Sequence, residues 1–180
     1  MSIKICLILS LFVALSFTMS MRPKAFNPPA YKQSDARWKD IILGFGPDTI
    51  GQAGCLMTSI TSAIAGEGVL LDGQVPIPPT MNEWLKNNGG FAQGDLFVWD
   101  SVRPLGLEFI EHRNKTTEII PAFMQGKVVI LNVNQGHHYV LGLGVTATGY
   151  SVMDPATPGK LIFEFNEVVR AGIYNWNPKH

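Results

Sequence analysis

Thr49-Ile50-Gly51-Gln52-Ala53-Gly54-Cys55-Leu56-Met57-Thr58-Ser59-Ile60 places a cysteine at the start of a predicted helix. From Cys55 the chain continues in small and apolar residues interspersed with Thr and Ser, which predicts a helix over 55–65. Apolar residues lie nearly all round it, the composition of a buried central helix. Gly66 and Gly68 supply its stop. A helix N-terminus has a partial positive charge and free backbone N–H groups, both of which favour a thiolate. The chain has 2 cysteines, and the other, Cys6, lies in a segment that reads as an export signal. An exported protein left with one thiol needs a reason for it, because such thiols oxidise or pair.

Outward from this helix the two halves differ. Residues 21–30 form a Pro-containing lead-in without periodicity, read as an extended arm, and 31–38 reads as a turn followed by a short helical piece. Phe45-Gly46-Pro47-Asp48 is a loop. Thr80 and Glu83 have capping-box spacing and predict a helix over 81–88, stopped by Gly89 and Gly90. Leu96-Phe97-Val98-Trp99 is a short apolar segment that fits either helix or strand. Residues 107–112 alternate as a strand, and 117–125 reads as a short helix in which Pro121 is tolerable only in the first turn. Four strands are then predicted over 127–133, 138–143, 150–153 and 160–165, separated by Gly, Asn and Pro clusters. Helices lead and an antiparallel sheet follows, an α+β arrangement.

At 180 residues the chain reads as one domain over 31–180, with an N-terminal helical part packed on a C-terminal antiparallel sheet. The 14 Lys+Arg balance the 14 Asp+Glu, so nothing in the charge points to nucleic acid or an anionic membrane. Residues 1–20 have the layout of a secretory signal: a basic Lys4, an apolar run over 5–17 and small residues at Thr18 and Ser20. The run is short for a membrane span, and an uncleaved anchor is the competing reading. The expectation is a secreted, extracellular protein with no membrane association once the signal is removed.

His138 and Asp154 flank a candidate hairpin folding about Thr146. In that register they face one another, and directly opposed residues have Cβ atoms about 4.5–5.5 Å apart. A carboxylate at that separation holds an imidazole N–H; a slip of one residue would put the two on opposite faces. A thiol nucleophile needs a base to take its proton, a third group to orient that base, and donors for the oxyanion. Cys55, His138 and Asp154 supply the first three. The backbone N–H of Cys55 is one oxyanion donor, and Gln33 or Gln52 can supply the second. Taken singly, Cys55 also reads as an inert core thiol, His138 as a hydrogen-bonded strand residue and Asp154, before Pro155, as a turn aspartate. Their joint occurrence in this order favours the catalytic reading. His112, His137, His138 and His180 lack zinc-ligand spacing.

Tyr31-Lys32-Gln33-Ser34-Asp35-Ala36-Arg37-Trp38, Thr49-Ile50-Gly51 and Gly54-Cys55-Leu56-Met57-Thr58-Ser59 together resemble the opening of C39-like cysteine peptidase domains. Asn82-Glu83-Trp84-Leu85-Lys86-Asn87-Asn88-Gly89-Gly90-Phe91 is similar to a further block of that group. So are Lys127-Val128-Val129-Ile130, His138-Tyr139-Val140-Leu141 and Val152-Met153-Asp154-Pro155. The resemblance covers nearly all the chain after Ala30 and implies a papain-like fold, with the cysteine-bearing helix central. It implies Cys55 as nucleophile, His138 as base, Asp154 as its orienter and Gln33 as oxyanion glutamine. Leu56 stands where many members have Gly, and the interval from Gln33 to Cys55 is longer than in papain-type enzymes. The implied activity is that of a secreted thiol hydrolase, a peptidase acting on peptide or protein through an acyl-thioester, with no cofactor. The alternatives are a catalytically silent binding domain of the same fold and a cell-wall peptide amidase, though Gly54-Cys55-Leu56-Met57 does not match the amidase cysteine blocks.

Overall fold

The computed structural model describes residues 26–177. The expected signal over 1–20, residues 21–25 of the lead-in and His180 lie outside the described residues. In chain order the elements are α1 (Ile50–Ala53), α2 (Cys55–Gly66), α3 (Pro78–Asn87), β1 (Phe91–Ala92), β2 (Leu96–Phe97), β3 (Leu107–Arg113), α4 (Thr116–Met124), β4 (Val128–Val133), β5 (His138–Val145), β6 (Gly149–Met153), β7 (Ile162–Glu164) and β8 (Arg170–Trp176). β1 and β2 pair as a small hairpin, and a 3-10 segment, Trp99–Leu105, leads into β3. The remaining strands form a six-stranded sheet in the order β3-β8-β4-β5-β6-β7, every neighbouring pair antiparallel.

Every residue of β4 is buried, because the sheet is covered on both faces. Val128 and Ile130 join Leu141, Met153 and Tyr174 in a core with Met57, Ile60 and Ile64 of α2 and Met81 and Leu85 of α3. Val129, Leu131 and Val133 join Val140, Val152 and Phe163 in a second core with Ile119 and Ala122 of α4. This is the signature of a strand with helices on either side: an unbroken apolar run rather than alternation. In α2 the buried Thr61 Oγ1 donates to Met57 O at 2.7 Å and Ser59 Oγ to Tyr139 O of β5 at 3.3 Å, while Thr58 Oγ1 is buried without a partner.

Several boundaries differ from the sequence reading, each for a local reason. Residues 31–38 are turns rather than a short helix, pinned where the buried Trp38 indole N–H donates to Lys32 O at 2.8 Å. α3 begins at Pro78 and not after Thr80, because a proline costs nothing at a first helical position, where its missing N–H has no partner. Thr80 Oγ1 then accepts from Ile77 N at 3.0 Å, and Glu83 pairs with Lys86 at 3.0 Å instead of closing a capping box. Pro121 sits past the first turn of α4, and the helix stops one turn later at Met124. β8 is an element that the sequence pattern hides. Its central Gly172 weakens a strand by propensity, but the Trp99 ring packs where a side chain at 172 would stand.

α3 also fixes the loop that leads to α1. Buried Asn82 accepts from Gly44 N at 2.9 Å through Oδ1 and donates to Ile42 O at 2.9 Å through Nδ2. That loop carries the bonds Leu43 N to Asp48 O and Ile50 N to Ile41 O, so Asn82 sets the height at which the helix start stands. Asn82→Ala strands a buried backbone donor and an acceptor. The expected loss is about 1–3 kcal/mol of unfolding free energy, measured by urea denaturation.

Candidate active site

Cys55 opens α2, only partly buried, directly after the Gly54 that joins α1 to α2. A side chain at position 54 would collide with Ile50 O and the Ile50 side chain, so only glycine lets the two helices meet this closely. At position 51 a Cβ would lie 2.9 Å from Lys39 O, while Gly51 N donates to that same oxygen at 2.9 Å. The two glycines of the sequence motif are therefore the contacts that aim Cys55 out of the helix start.

The other half of the site comes from the β5–β6 hairpin. Its turn is closed by Thr146 N to Gly149 O at 2.8 Å and by Gly149 N to Thr146 Oγ1 at 3.0 Å. The register then runs Val145↔Tyr150 and Gly144↔Ser151, shifts at a bulge between Gly142 and Gly144, and continues Gly142↔Val152 and Leu141↔Met153. The two residues are thus not directly opposed, as folding about Thr146 would have made them. β6 ends at Met153, and carrying its register one step further sets Asp154 a diagonal step from His138. A diagonal pair lies within reach of longer side chains. His138 Nε2 donates to Asp154 Oδ1 at 2.7 Å.

Asp154 is buried and fully engaged. Oδ1 also accepts from Ala156 N at 2.8 Å, and Oδ2 accepts from Lys160 N at 2.9 Å. Burial works to raise its carboxyl, but the bonds from His138, Ala156 and Lys160 outweigh that and hold it below the usual carboxylate range. Burial likewise opposes a charge on His138. The Asp154 bond and the Cys55 side chain, lying against the same imidazole, outweigh it and push His138 up to about 9. Because Nε2 is taken by Asp154, Nδ1 is the nitrogen left to the thiol. The structure thus brings Cys55, His138 and Asp154 together.

The two glutamines separate. Gln52 is exposed, and its Oε1 accepts from Thr49 N at 2.9 Å, capping α1. Gln33 donates from Nε2 to Gly51 O at 2.9 Å, which ties it to the turn of chain that delivers Cys55. Its Oε1 is buried without a partner. Turning the amide over would set that oxygen against Gly51 O, acceptor to acceptor, so the N–H side is fixed toward the helix start. Nε2 carries two N–H groups, and one remains for a ligand.

Of the other histidines, His137 is exposed and His112 packs against the Trp99 ring at 4.7 Å. Among the described residues no group of three or more His, Cys, Asp or Glu could hold a metal ion. Two residues around the site gave no signal in the sequence. Lys32 donates to backbone carbonyls of the Asp154 loop, and Asn82 braces the loop before α1. A single lysine beside a motif glutamine and a single asparagine in a helix have no pattern to betray them.

No family model matches the chain, and no curated protein matches it. Among solved structures the chain is similar to a double glycine motif protease from an AMS/PCAT transporter, determined in complex with the leader peptide. The identity is 18%, the TM-score 0.47, and the alignment covers 69% of this chain and 84% of that chain.

A group whose folded-state pKa is raised stabilises the fold fully below its unfolded value and loses that contribution as pH rises through the folded value. For His138 the window runs from 6.5 to about 9. The expected imidazole titration midpoint, read from its ring proton resonances, is about 9. In Asp154→Asn the midpoint is expected to fall toward the ordinary 6.5, and the loss of thermal stability across that window to shrink. A wild-type midpoint near 6.5 would contradict the geometry.

Proposed function

We propose that this protein is a secreted thiol hydrolase of papain-like type, a peptidase, with Cys55 as nucleophile, His138 as acid–base and Asp154 as the group that orients His138. The observation that carries the proposal is the His138 imidazole bonded through Nε2 to Asp154 Oδ1 at 2.7 Å, with the Cys55 side chain near enough to raise its pKa. The order of the motifs and their resemblance to C39-like peptidase domains support the same reading. The apolar run over 5–17 supports export.

The chemistry follows from the positions. The thiol proton of Cys55 passes to His138, and Sγ attacks the carbonyl carbon of a peptide bond, whose carbonyl oxygen takes the negative charge. The Cys55 backbone N–H, at the first position of α2, belongs to the amides that a helix leaves without an internal acceptor. With the free Nε2–H of Gln33 it forms the oxyanion donor pair. The His138 imidazolium gives its proton to the leaving amine as the C–N bond breaks, leaving an acyl thioester on Cys55. Neutral His138 then takes a proton from water, which attacks the thioester. The C–S bond breaks, and the acid product leaves. Asp154 keeps Nδ1 facing the sulfur throughout and balances the imidazolium charge.

Because bond cleavage draws on the protonated imidazole, peptide hydrolysis should fall as pH rises through about 9. Digesting a peptide library and reading the fragments by mass spectrometry tests the proposal. Cys55→Ala and His138→Ala are each expected to lower cleavage by at least about a thousandfold. No cleavage by the wild type, or equal cleavage by Cys55→Ala, would overturn it.

A further inference from the structure

Three consecutive carbonyls of the loop after β6 are taken by two consecutive residues of the N-terminal arm. Lys32 Nζ donates to Asp154 O at 2.7 Å and to Ala156 O at 3.0 Å, and between them Gln33 N donates to Pro155 O at 2.9 Å. Ser34 Oγ adds a bond to Thr157 Oγ1 at 3.0 Å. The ammonium has space because position 159 is glycine: a Cβ there would come within 2.8 Å of Lys32 Nζ. Exposed lysines keep their charge in water. This one turns its charge inward onto backbone oxygens, and its stem lies along a cleft shared with Met153, Asp154 and Gly159.

The geometry points to Lys32 as a positioning residue that joins the two halves of the site: through one side chain it fixes the loop carrying Asp154 against the arm carrying Gln33. This rests on the hydrolase reading and goes beyond it. Asp154 sets the imidazole and Gln33 is the proposed oxyanion donor; they are far apart in sequence and this seam joins them. Asp154 follows the last residue of β6, where no strand ladder remains to hold it. Its carboxylate is fixed by Ala156 N and Lys160 N from its own loop, so the placement of that loop decides where the carboxylate stands. Lys32 supplies two of the bonds that hold this loop to the arm, beside those from Gln33 N and Ser34 Oγ. Without Lys32 the part-buried carbonyls of Asp154 and Ala156 would lose a charged donor.

The test separates positioning from simple charge. The groups that shift His138 are Asp154 and Cys55; Lys32 reaches the site through the loop, with Nζ on Asp154 O at 2.7 Å, and the Lys160 side chain pairs with Glu167 at 2.6 Å. Removing a cation near His138 would by charge alone move its titration midpoint upward. Displacing Asp154 moves it downward. In Lys32→Met the midpoint, read from the ring proton resonances, is expected to fall from about 9 toward 6.5. The second readout is acylation of Cys55 by p-nitrophenyl acetate, followed by the nitrophenolate burst. In the wild type Gln33→Ala is expected to slow the burst by about 10²–10³-fold. In the Lys32→Met background the same change is expected to slow it by about tenfold or less, since contacting residues do not act additively. Lys32→Arg, which keeps the donors, should restore most of both effects. Should Lys32→Met fail to fold, Lys32→Gln keeps one donor without the charge and is expected to shift both readouts partway.

An unchanged or raised midpoint in Lys32→Met, with the full effect of Gln33→Ala retained, would overturn the inference while leaving the hydrolase reading standing. A wild-type protein with no burst would remove the hydrolase reading itself, whatever Lys32 does.

Discussion

The hydrogen bond between His138 and Asp154 is the constraint on which the rest of the site depends. Asp154 lies just past the end of β6, while His138 opens β5 paired with Val133 of β4, and both are poor candidates for burial. Each would lose more by desolvation alone than it gains from its apolar neighbours. The bond is sustained because the surroundings satisfy what remains of each group. Two backbone amides complete the carboxylate, and the thiol side chain lies at the other side of the imidazole. Removing any one of these leaves an uncompensated polar group inside, so the arrangement is held as a set.

Two pieces of the chain that share no secondary structure are needed to present Cys55 to this pair. The first is the loop before α1, whose height is set by Asn82 of α3. The second is the arm at 31–34, tied to Gly51 by the Gln33 amide and to the Asp154 loop by Lys32 and the Gln33 backbone. The helix start and the hairpin end are thus joined on two sides, by packing of α2 against the sheet and by the arm across the top. Both attachments use buried or half-buried polar bonds rather than apolar contact. Such bonds add little net stability but are costly to break, which suits a site whose geometry must be held.

Much of this was legible in the sequence, and the omissions have physical causes. The helix starting at Cys55 and the buried strand over 128–133 are visible because burial all round writes unbroken apolar runs. The placement of His138 and Asp154 on one hairpin follows from turn residues between apolar segments. Their diagonal relation does not, since the bulge between Gly142 and Gly144 shifts the register by an amount no pattern announces. β8 is hidden because Gly172 is chosen for the Trp99 ring above it, a tertiary requirement that defeats local propensity. The start of α3 is masked in the sequence because a threonine with a glutamate three residues on imitates a capping box, whereas Pro78 and Pro79 serve equally well as a beginning. Gln33 and Gln52 could be told apart only in three dimensions, where one turns inward to Gly51 and the other caps α1. Lys32 and Asn82 act through backbone groups, which carry no side-chain signature at all.

The central claim is that one thiol, served by His138 and Asp154, takes up an acyl group. Intact-protein mass spectrometry after a brief exposure to p-nitrophenyl acetate, with peptide mapping of the modified residue, tests it most directly. The account predicts a single acetyl group on Cys55, formed quickly in the wild type and slowly in His138→Ala and Asp154→Asn. Acetylation spread over surface lysines with Cys55 unmodified, or the same rate on Cys55 in all three proteins, would contradict it.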